Sequence, residues 1–544
     1  MGVYRSILVV AAAIAAAAPL FVFLYRSLRS RTVFRFTVIP DIPSLGKPAR
    51  RKHGTVVICG GSIGGCLAAK ICSDHFTRVI VIEQEAWALS EDARHGRGSR
   101  VYQYTSFHGF FQGALLNILR ALFTNFDERA KQYDVGIVEM NSSYWLNGRC
   151  LRFLVQRTAD NSFVFPSKIL STRRSMETAI RNLVEYVHGT VTSLKTSPNS
   201  SISDVDVRLG TDGGSMVNFD CDMFIDCSGN AQAGLKLLPR AVPADKSALL
   251  SNIRHTYSPK IKYSTLEFPP PPNFEEDLNK ITVQYPFERH NHPVTYPLGK
   301  YPFFLFWSYT QDIDDRIIYA CRTGTGNIVI MLGSYGTELP CNIDQLRMFL
   351  RDAPAGERSF PSWFFQVLDL LDPVKDDMTC TECKVDSCSR VFYERVSNAL
   401  PRNFVALGDA MMRLSPRYGE GVAQCAIGIT TLDGVLRRIP EGPHDPAFSK
   451  SFFSLLASRA GHLWDGSRLM DYGYSTTKPV AGEKLSDGAF LRWFVSKAAA
   501  VIERDDGVNA AFNRDWNMLA PSSDMQSPSI VLKVFWNVLF PAGV

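Results

Sequence analysis

Hydrophobic residues in this chain fall into three kinds of run, and each predicts a different element. The first kind is long. Ile7 to Tyr25 is a continuous apolar stretch of 19 residues, about 28 Å as a helix and close to the thickness of a bilayer core. The second kind is short and strand-like: Thr55–Cys59 and Val79–Ile82, the pair separated by the helical stretch Cys66–Cys72. The third kind is aromatic and β-branched: Ile261–Phe268, Phe303–Tyr309, Arg316–Cys321 and Asn327–Leu332, with Pro269–Pro272 stopping the first of them. Gly324-Thr-Gly326-Asn between the last two reads as a hairpin turn. An α/β protein is predicted, with a parallel sheet early and an antiparallel sheet in the middle of the chain.

Charge decides how the first run is read. Arg5 precedes it, while Arg26, Arg29, Arg31, Lys47, Arg50, Arg51 and Lys52 follow. Ala16-Ala17-Ala18 resembles a signal-peptide cleavage box, but Pro19 follows it and the apolar run continues to Leu24. The expectation is an uncleaved single-pass anchor over residues 1–31 in the lipid bilayer. It would sit in the endoplasmic reticulum membrane with the catalytic part in the cytosol. Asn141 and Asn199 head glycosylation sequons that would be inert on that side. Residues 32–53 read as a linker carrying Pro40, Pro43 and Pro48. Ser529–Phe540 is apolar but too short to span, so it either lies in the interface or packs as a C-terminal helix.

Composition narrows the class. The chain has 544 residues, 46% hydrophobic and 21% charged, and a net charge of +6. That suits a large folded protein and gives no nucleic-acid signature. Twelve cysteines without framework spacing read as reduced thiols. The exception is Cys380-Thr-Glu-Cys383 with Cys388 behind it, which lacks a clear fourth ligand for zinc. No metal is expected.

The clearest chemistry begins where Thr55–Cys59 ends. Gly60-Gly61-Ser62-Ile63-Gly64-Gly65 follows the strand and opens a helix, and a second strand then ends at Glu83. This is the strand, glycine turn, helix, strand, acid order of a dinucleotide site. Gly60 permits the tight turn. Gly61 and Ser62 let backbone approach a diphosphate, and Gly64 or Gly65 lets the helix pack closely. Free N–H groups at the helix start would bind phosphate. Glu83 can accept from a ribose diol and would repel a 2′-phosphate, so the resident ligand is FAD or NAD rather than NADP. Ser62 stands where the pattern has a third glycine. No second fingerprint exists.

Two later segments complete a family pattern: Asp222–Gly229 and Asn403–Ala410, the latter followed by Pro416-Arg-Tyr-Gly419-Glu-Gly421 and a helical stretch to about Arg438. With the glycine turn, these resemble the FAD-dependent monooxygenases of the para-hydroxybenzoate hydroxylase and squalene epoxidase superfamily, in a fungal or microbial epoxidase-like branch. The resemblance runs over residues 54–440. It implies a Rossmann-like FAD-binding domain in two parts (54–240 and 396–440), a mainly β substrate domain (241–395) and a C-terminal helical region (441–544). It also implies FAD contacts at Arg97 or Arg100 after the second strand, at Arg173, at Asp409, and at Gly419 and Gly421 beside the isoalloxazine. His108 lies where relatives keep a flavin-side residue, with a structural histidine as the alternative. Ser228-Gly229 replaces the family's Asp-Gly.

The activity implied is insertion of one oxygen atom from O2 into a lipophilic small molecule, by epoxidation of an alkene or hydroxylation of an aromatic ring. NADPH or NADH would be the transient reductant, and specialised metabolism the setting. The aromatic load at Phe303, Phe304, Phe306, Trp307 and Tyr309 suits an apolar substrate. No catalytic base is evident. A halogenase would need a Trp-x-Trp-x-Ile-Pro motif, which is absent. The alternative is an FAD-dependent reductase or dehydrogenase acting on a prenyl-type double bond.

Overall fold

The structure, a computed structural model, describes residue 23 and residues 26–89, 113–139, 143–146, 149–151, 156–157, 163–164, 167–181, 184–210, 214–285, 294–297, 303–307, 315–323, 326–352, 360 and 362–541. It is mixed α/β. The first sheet is built from β1 (His53–Cys59), β2 (Phe76–Glu83), β3 (Glu185–Thr196), β4 (Ile202–Leu209), β5 (Met216–Asp220), β6 (Met223–Asp226) and β7 (Phe404–Ala406), in the spatial order β5-β4-β3-β2-β1-β6-β7. The five strands from β3 to β7 across that order run parallel, and β4 and β5 extend it as an antiparallel ribbon. β1 is central, with Val57 opposite Ile80 on one side and Phe224 on the other. Val56, Val57 and Ile58 are all fully buried. A strand covered on both faces reads as an unbroken apolar run rather than an alternation.

The strand order reverses between β1 and β6, so a crevice opens at their carboxyl ends. This is the switch point where open α/β sheets place ligands. Three helices frame it: α1 (Ile63–His75), α2 (Arg173–Ile180) and α4 (Gly421–Arg438), with α3 (Ala233–Ala241) following β6. Every residue of α4 from Ala423 to Leu436 is buried, which fits a helix lodged between α1 and α5 (Phe448–Asp471). The chain therefore leaves the first sheet after β6 and re-enters it at β7, immediately before the Gly408–Gly421 region.

The second sheet has seven strands in the order Thr379–Val385, Ile261–Phe268, Ile328–Ser334, Ile317–Arg322, Phe303–Trp307, Ser143–Leu146 and Arg149–Leu151. All neighbours are antiparallel except the pair Phe303–Trp307 and Ser143–Leu146. The sheet is a partition between two cores. Ile318 and Ala320 face a smaller core with the helices Phe274–Lys280, Ile343–Arg351 and Ser362–Leu370, while Ile317, Tyr319 and Cys321 face the main one. Both faces are apolar, hence the continuous hydrophobic runs. The turn at Gly326 has φ +90° and joins antiparallel neighbours, as the hairpin reading expects.

The expectation of a single-pass N-terminal anchor is corrected. Among the described residues no helix is long and apolar enough to cross a membrane, and of Ile7–Tyr25 only Phe23 is described. Residues 26–36, expected to flank the membrane, form a helix tied to the body. Arg29 donates two hydrogen bonds to the Asp524 carboxylate, at 2.6 and 2.7 Å, and the Phe34 carbonyl accepts from Arg459 at 3.0 Å. Nor is the stretch 32–53 a free tether. Val38, Asp41 and Leu45 are buried, and Asp41 pairs with Arg459 at 2.7 Å and Arg438 at 2.8 Å. At the other end α7 (Pro528–Leu539) buries Ile530 and Val534 and contacts α6 (Ala489–Arg504), where Trp493 and Phe535 lie 5.6 Å apart.

Candidate functional site

The glycine turn is fixed by close backbone contacts. Gly60 has φ +105°, a conformation that side chains rarely adopt. A Cβ there would stand 2.8 Å from the carbonyl carbon of Cys227, at the end of β6. At Gly65 a Cβ would run into the carbonyl of Gly60, 2.9 Å from its carbon. These two positions let α1 start directly off β1. Glu83 is buried at the end of β2, and its two carboxylate oxygens accept from the N–H groups of Gly61 (2.8 Å) and Glu85 (2.9 Å). Its position beside the turn, at the carboxyl end of β2, is the one where a dinucleotide fold places its ribose acid.

Arg173 reaches the same turn. Thr172 caps α2 by accepting from the Ser175 N–H at 3.2 Å, which sets the first residue of the helix over α1. From there the Arg173 guanidinium donates to the Ser62 hydroxyl at 2.6 Å and to Glu177 at 2.9 Å. The Ser62 hydroxyl donates in turn to Glu177. Ser62 is thus the N-cap of α1 without using its side chain as a cap. The Arg173 guanidinium therefore stands at the first turn of α1, an arrangement that attracts a diphosphate.

The second half of the expected site meets the first through one residue. Cys425 lies one turn into α4. A Cβ on Gly64 would lie 3.3 Å from its sulfur, and a Cβ on Gly408 would lie 3.5 Å from it. Gly64, Gly408 and the first turn of α4 therefore converge within van der Waals contact. Gly421 is one helical turn, about 5–6 Å, before Cys425. Next to Gly408 stands Asp409. Burial pushes its carboxyl above the usual carboxylate range, and Arg413 and Arg173 pull it back. That Arg173 acts on both Ser62 and Asp409 is further evidence that the two motifs share one site.

The loop Pro416–Gly421 is held from behind by an aromatic cluster. Asp471, fully buried at the end of α5, accepts from the hydroxyls of Tyr335 (2.6 Å), Tyr257 (2.9 Å) and Tyr418 (3.0 Å). The Arg417 guanidinium sits 5.2 and 5.0 Å from the ring centres of Tyr335 and Tyr474, which stack on one another. The loop then turns through Gly419 at φ +66° into Glu420 and α4. Burial pushes the Glu420 carboxyl up to about 8, with Asp515 adding repulsion. The shift favours its neutral form, which places no negative charge at the start of α4.

FAD fits these residues. The cradle at Gly60 and Gly65 excludes even a methyl group. At Gly421 and Gly229, by contrast, a Cβ would have no described atom within 4 Å. Arg97, Arg100 and His108 lie outside the described residues. Sequence reasoning missed Glu420, although it sits inside the quoted Gly-Glu-Gly. It also missed Asp471 and its tyrosines, which no local pattern marks. The Ser228–Gly229 departure has a structural role: the Asp226 carboxylate accepts from the Ser228 N–H (2.9 Å) and hydroxyl (2.6 Å) and from the Gly234 N–H (2.7 Å), closing the turn that starts α3.

No protein-family model matches the chain, and no curated protein matches it. Solved structures do. The flavin-dependent brominase Bmp2 is 11% identical, with a TM-score of 0.51 over 90% of this chain and 99% of that one. A flavoprotein/dehydrogenase from Cytophaga hutchinsonii is 11% identical, with a TM-score of 0.53 over the same shares. At such identities the likeness is one of fold, and it spans nearly the whole of both neighbours.

Proposed function

We propose that this chain is an FAD-dependent monooxygenase. It would place one oxygen atom of O2 on a lipophilic small molecule, by epoxidation of an alkene or hydroxylation of an electron-rich aromatic ring, in specialised metabolism. The observation that carries this reading is the convergence of the Gly60–Gly65 turn, the Gly408–Asp409 turn and the first turn of α4 on Cys425. The fold supports it: one similar structure is described as a flavin-dependent brominase and another as a flavoprotein/dehydrogenase.

Each residue has a definite task. The N–H groups at the start of α1 hold the diphosphate, with Arg173 beside them. Glu83 binds the adenosine ribose and disfavours a 2′-phosphate, and Asp409 binds further hydroxyls of the cofactor. Gly419 and Gly421 would admit the ring to the start of α4, whose N–H groups would favour negative charge there. The raised Glu420 carboxyl, in its neutral form, would not oppose that charge. The second sheet covers the far side and excludes water. FAD, when bound, supplies electron transfer from NADPH or NADH and the activation of O2.

A second reading has one observation in its favour. Saturating a prenyl-type double bond needs a proton donor, and Glu420 is a carboxyl whose protonated form its surroundings favour. Oxygen decides between the two. Purified protein given FAD, NADPH or NADH and a panel of terpene and aromatic substrates under labelled O2 should yield products heavier by one labelled oxygen atom. Conversion without O2 would support the reductase, and no flavin-dependent conversion at all would remove both. A brominated product in the presence of bromide would point instead to the activity named for Bmp2.

A further inference from the structure

The cysteines at Cys380-Thr-Glu-Cys383 are not used by the site described above. Cys380 and Cys383 lie three positions apart on the strand Thr379–Val385, so they leave opposite faces of the second sheet and cannot act together. The strand is an edge strand, paired on one side with Ile261–Phe268, and Cys380 is exposed. Its partner comes from elsewhere. Ser264, on the neighbouring strand, donates to the carbonyl of Pro340 at 2.6 Å and contacts the Cys380 sulfur at 3.5 Å. Cys341, the residue after Pro340, is part of the loop that enters the helix Ile343–Arg351, and its N–H is fixed by Gln345 at 2.9 Å. The Cys341 thiol has the Cys380 thiol and the Glu382 carboxylate as hydrogen-bonding neighbours. Two thiols from distant parts of the chain thus meet at the rim of the sheet, one exposed and one half-buried.

We propose that Cys341 and Cys380 form a reversible oxidation site that closes as a disulfide. Hydrogen peroxide is the oxidant. The Cys380 sulfur attacks the peroxide, the O–O bond breaks, and one water leaves as Cys380 becomes a sulfenic acid. The Cys341 sulfur then attacks Cys380, the S–O bond breaks, and a second water leaves, so two thiols and one peroxide give one disulfide and two waters. The order of attack follows from the surroundings. Cys380 is the exposed sulfur. Partial burial, the Cys380 thiol and Glu382 push the Cys341 thiol up to about 12, which makes it a poor first nucleophile and suits it to the resolving step. The bond would close a loop of about 40 residues and tie the start of the helix Ile343–Arg351 to the edge of the second sheet.

The test uses the full chain, natively folded and independently of any flavin. The protein is treated with hydrogen peroxide, its remaining thiols are alkylated, and a digest under non-reducing conditions is analysed by mass spectrometry. A peptide pair joining Cys341 to Cys380 is expected. It should be lost on treatment with dithiothreitol and absent from Cys341→Ser and Cys380→Ser proteins. In Cys341→Ser, Cys380 should instead be recovered as the sulfinic acid. Neither side chain is fully buried, so both serine variants are expected to fold. Recovery of Cys341 and Cys380 as separate alkylated peptides from the peroxide-treated wild type would overturn the proposal. So would Cys380 over-oxidised beside a free Cys341, or either residue joined to a different cysteine.

Discussion

Gly65→Ala is the substitution whose effect can be worked most fully from the structure. The added methyl carbon would lie 2.9 Å from the carbonyl carbon of Gly60 and closer still to its oxygen. Ordinary carbon contacts are about 3.5–4.0 Å, so clearing the carbonyl carbon alone takes a retreat of roughly 0.6–1 Å and clearing the nearer oxygen takes more, and the obstacle is backbone that has no rotamer to yield. Overpacking of this kind costs about 1–3 kcal/mol of stability. The cost to a diphosphate is greater. Charge-assisted hydrogen bonds from the first turn of α1 are each worth about 1.5–3 kcal/mol, and losing two weakens binding by about 3–6 kcal/mol, roughly 10²- to 10⁴-fold. Gly466→Ala, on α5 and away from the turn, is the control, since no described atom lies within 4 Å of its added carbon. The assay is FAD bound per chain after purification, followed by titration of added FAD monitored by flavin fluorescence. Gly65→Ala should retain little flavin while keeping a wild-type far-ultraviolet circular dichroism spectrum, whereas Gly466→Ala should fold and bind FAD as the wild type does. A Gly65→Ala protein that binds FAD with unchanged affinity would refute the assignment of this turn to the diphosphate.

Three further outcomes are expected. Glu420→Gln tests the raised carboxyl. The folded state holds the Glu420 proton up to about pH 8 against an ordinary value of 4.5, so stability from this group is complete below about 4.5 and falls as pH rises toward 8, by at most about 5 kcal/mol. The Gln variant should flatten urea midpoints across that window, and an unchanged slope would show that Glu420 is not buried as an acid. Asp41→Ala leaves the fully buried Arg459 without its carboxylate. A loss of about 3–5 kcal/mol in urea unfolding is expected, and a loss below about 1 kcal/mol would mean that the 32–53 stretch does not dock. Asp471→Asn replaces one of the two oxygens that accept from three tyrosine hydroxyls. It should weaken FAD binding by about tenfold or more through the Pro416–Gly421 loop, read by the same fluorescence titration, while equal affinity would uncouple the cluster from the site.

How much of this was legible in the sequence depended on how local the physics is. The turn at Gly60–Gly65 could be read because its demands are stereochemical and contiguous: a positive φ at Gly60 and a methyl-free position at Gly65. Strands such as Ile317–Arg322 were readable as apolar, but not that the two faces serve two different cores. The apolar run at Ile7–Tyr25 argued for a membrane by its length and by the arginines and lysines that follow it. What its sequence did not reveal is that the following helix is pinned by an arginine to Asp524, 495 positions away. Asp471, Tyr335, Tyr257 and Tyr418 come from four separate elements, so no spacing rule could have joined them. Glu420 lay in plain view between two glycines, yet its chemistry arises from burial, which composition does not show. The same is true of Cys380, whose neighbour in sequence is Cys383 and whose neighbour in space is Cys341.

The central claim is that one FAD spans from the turn at Gly60 to the start of α4. An experimental structure of the protein purified with FAD tests it most directly. The account predicts the diphosphate against the N–H groups at the start of α1, the adenosine ribose at Glu83, and the isoalloxazine beside Gly419–Gly421. A flavin seated elsewhere, or no flavin bound at saturating FAD, would contradict it.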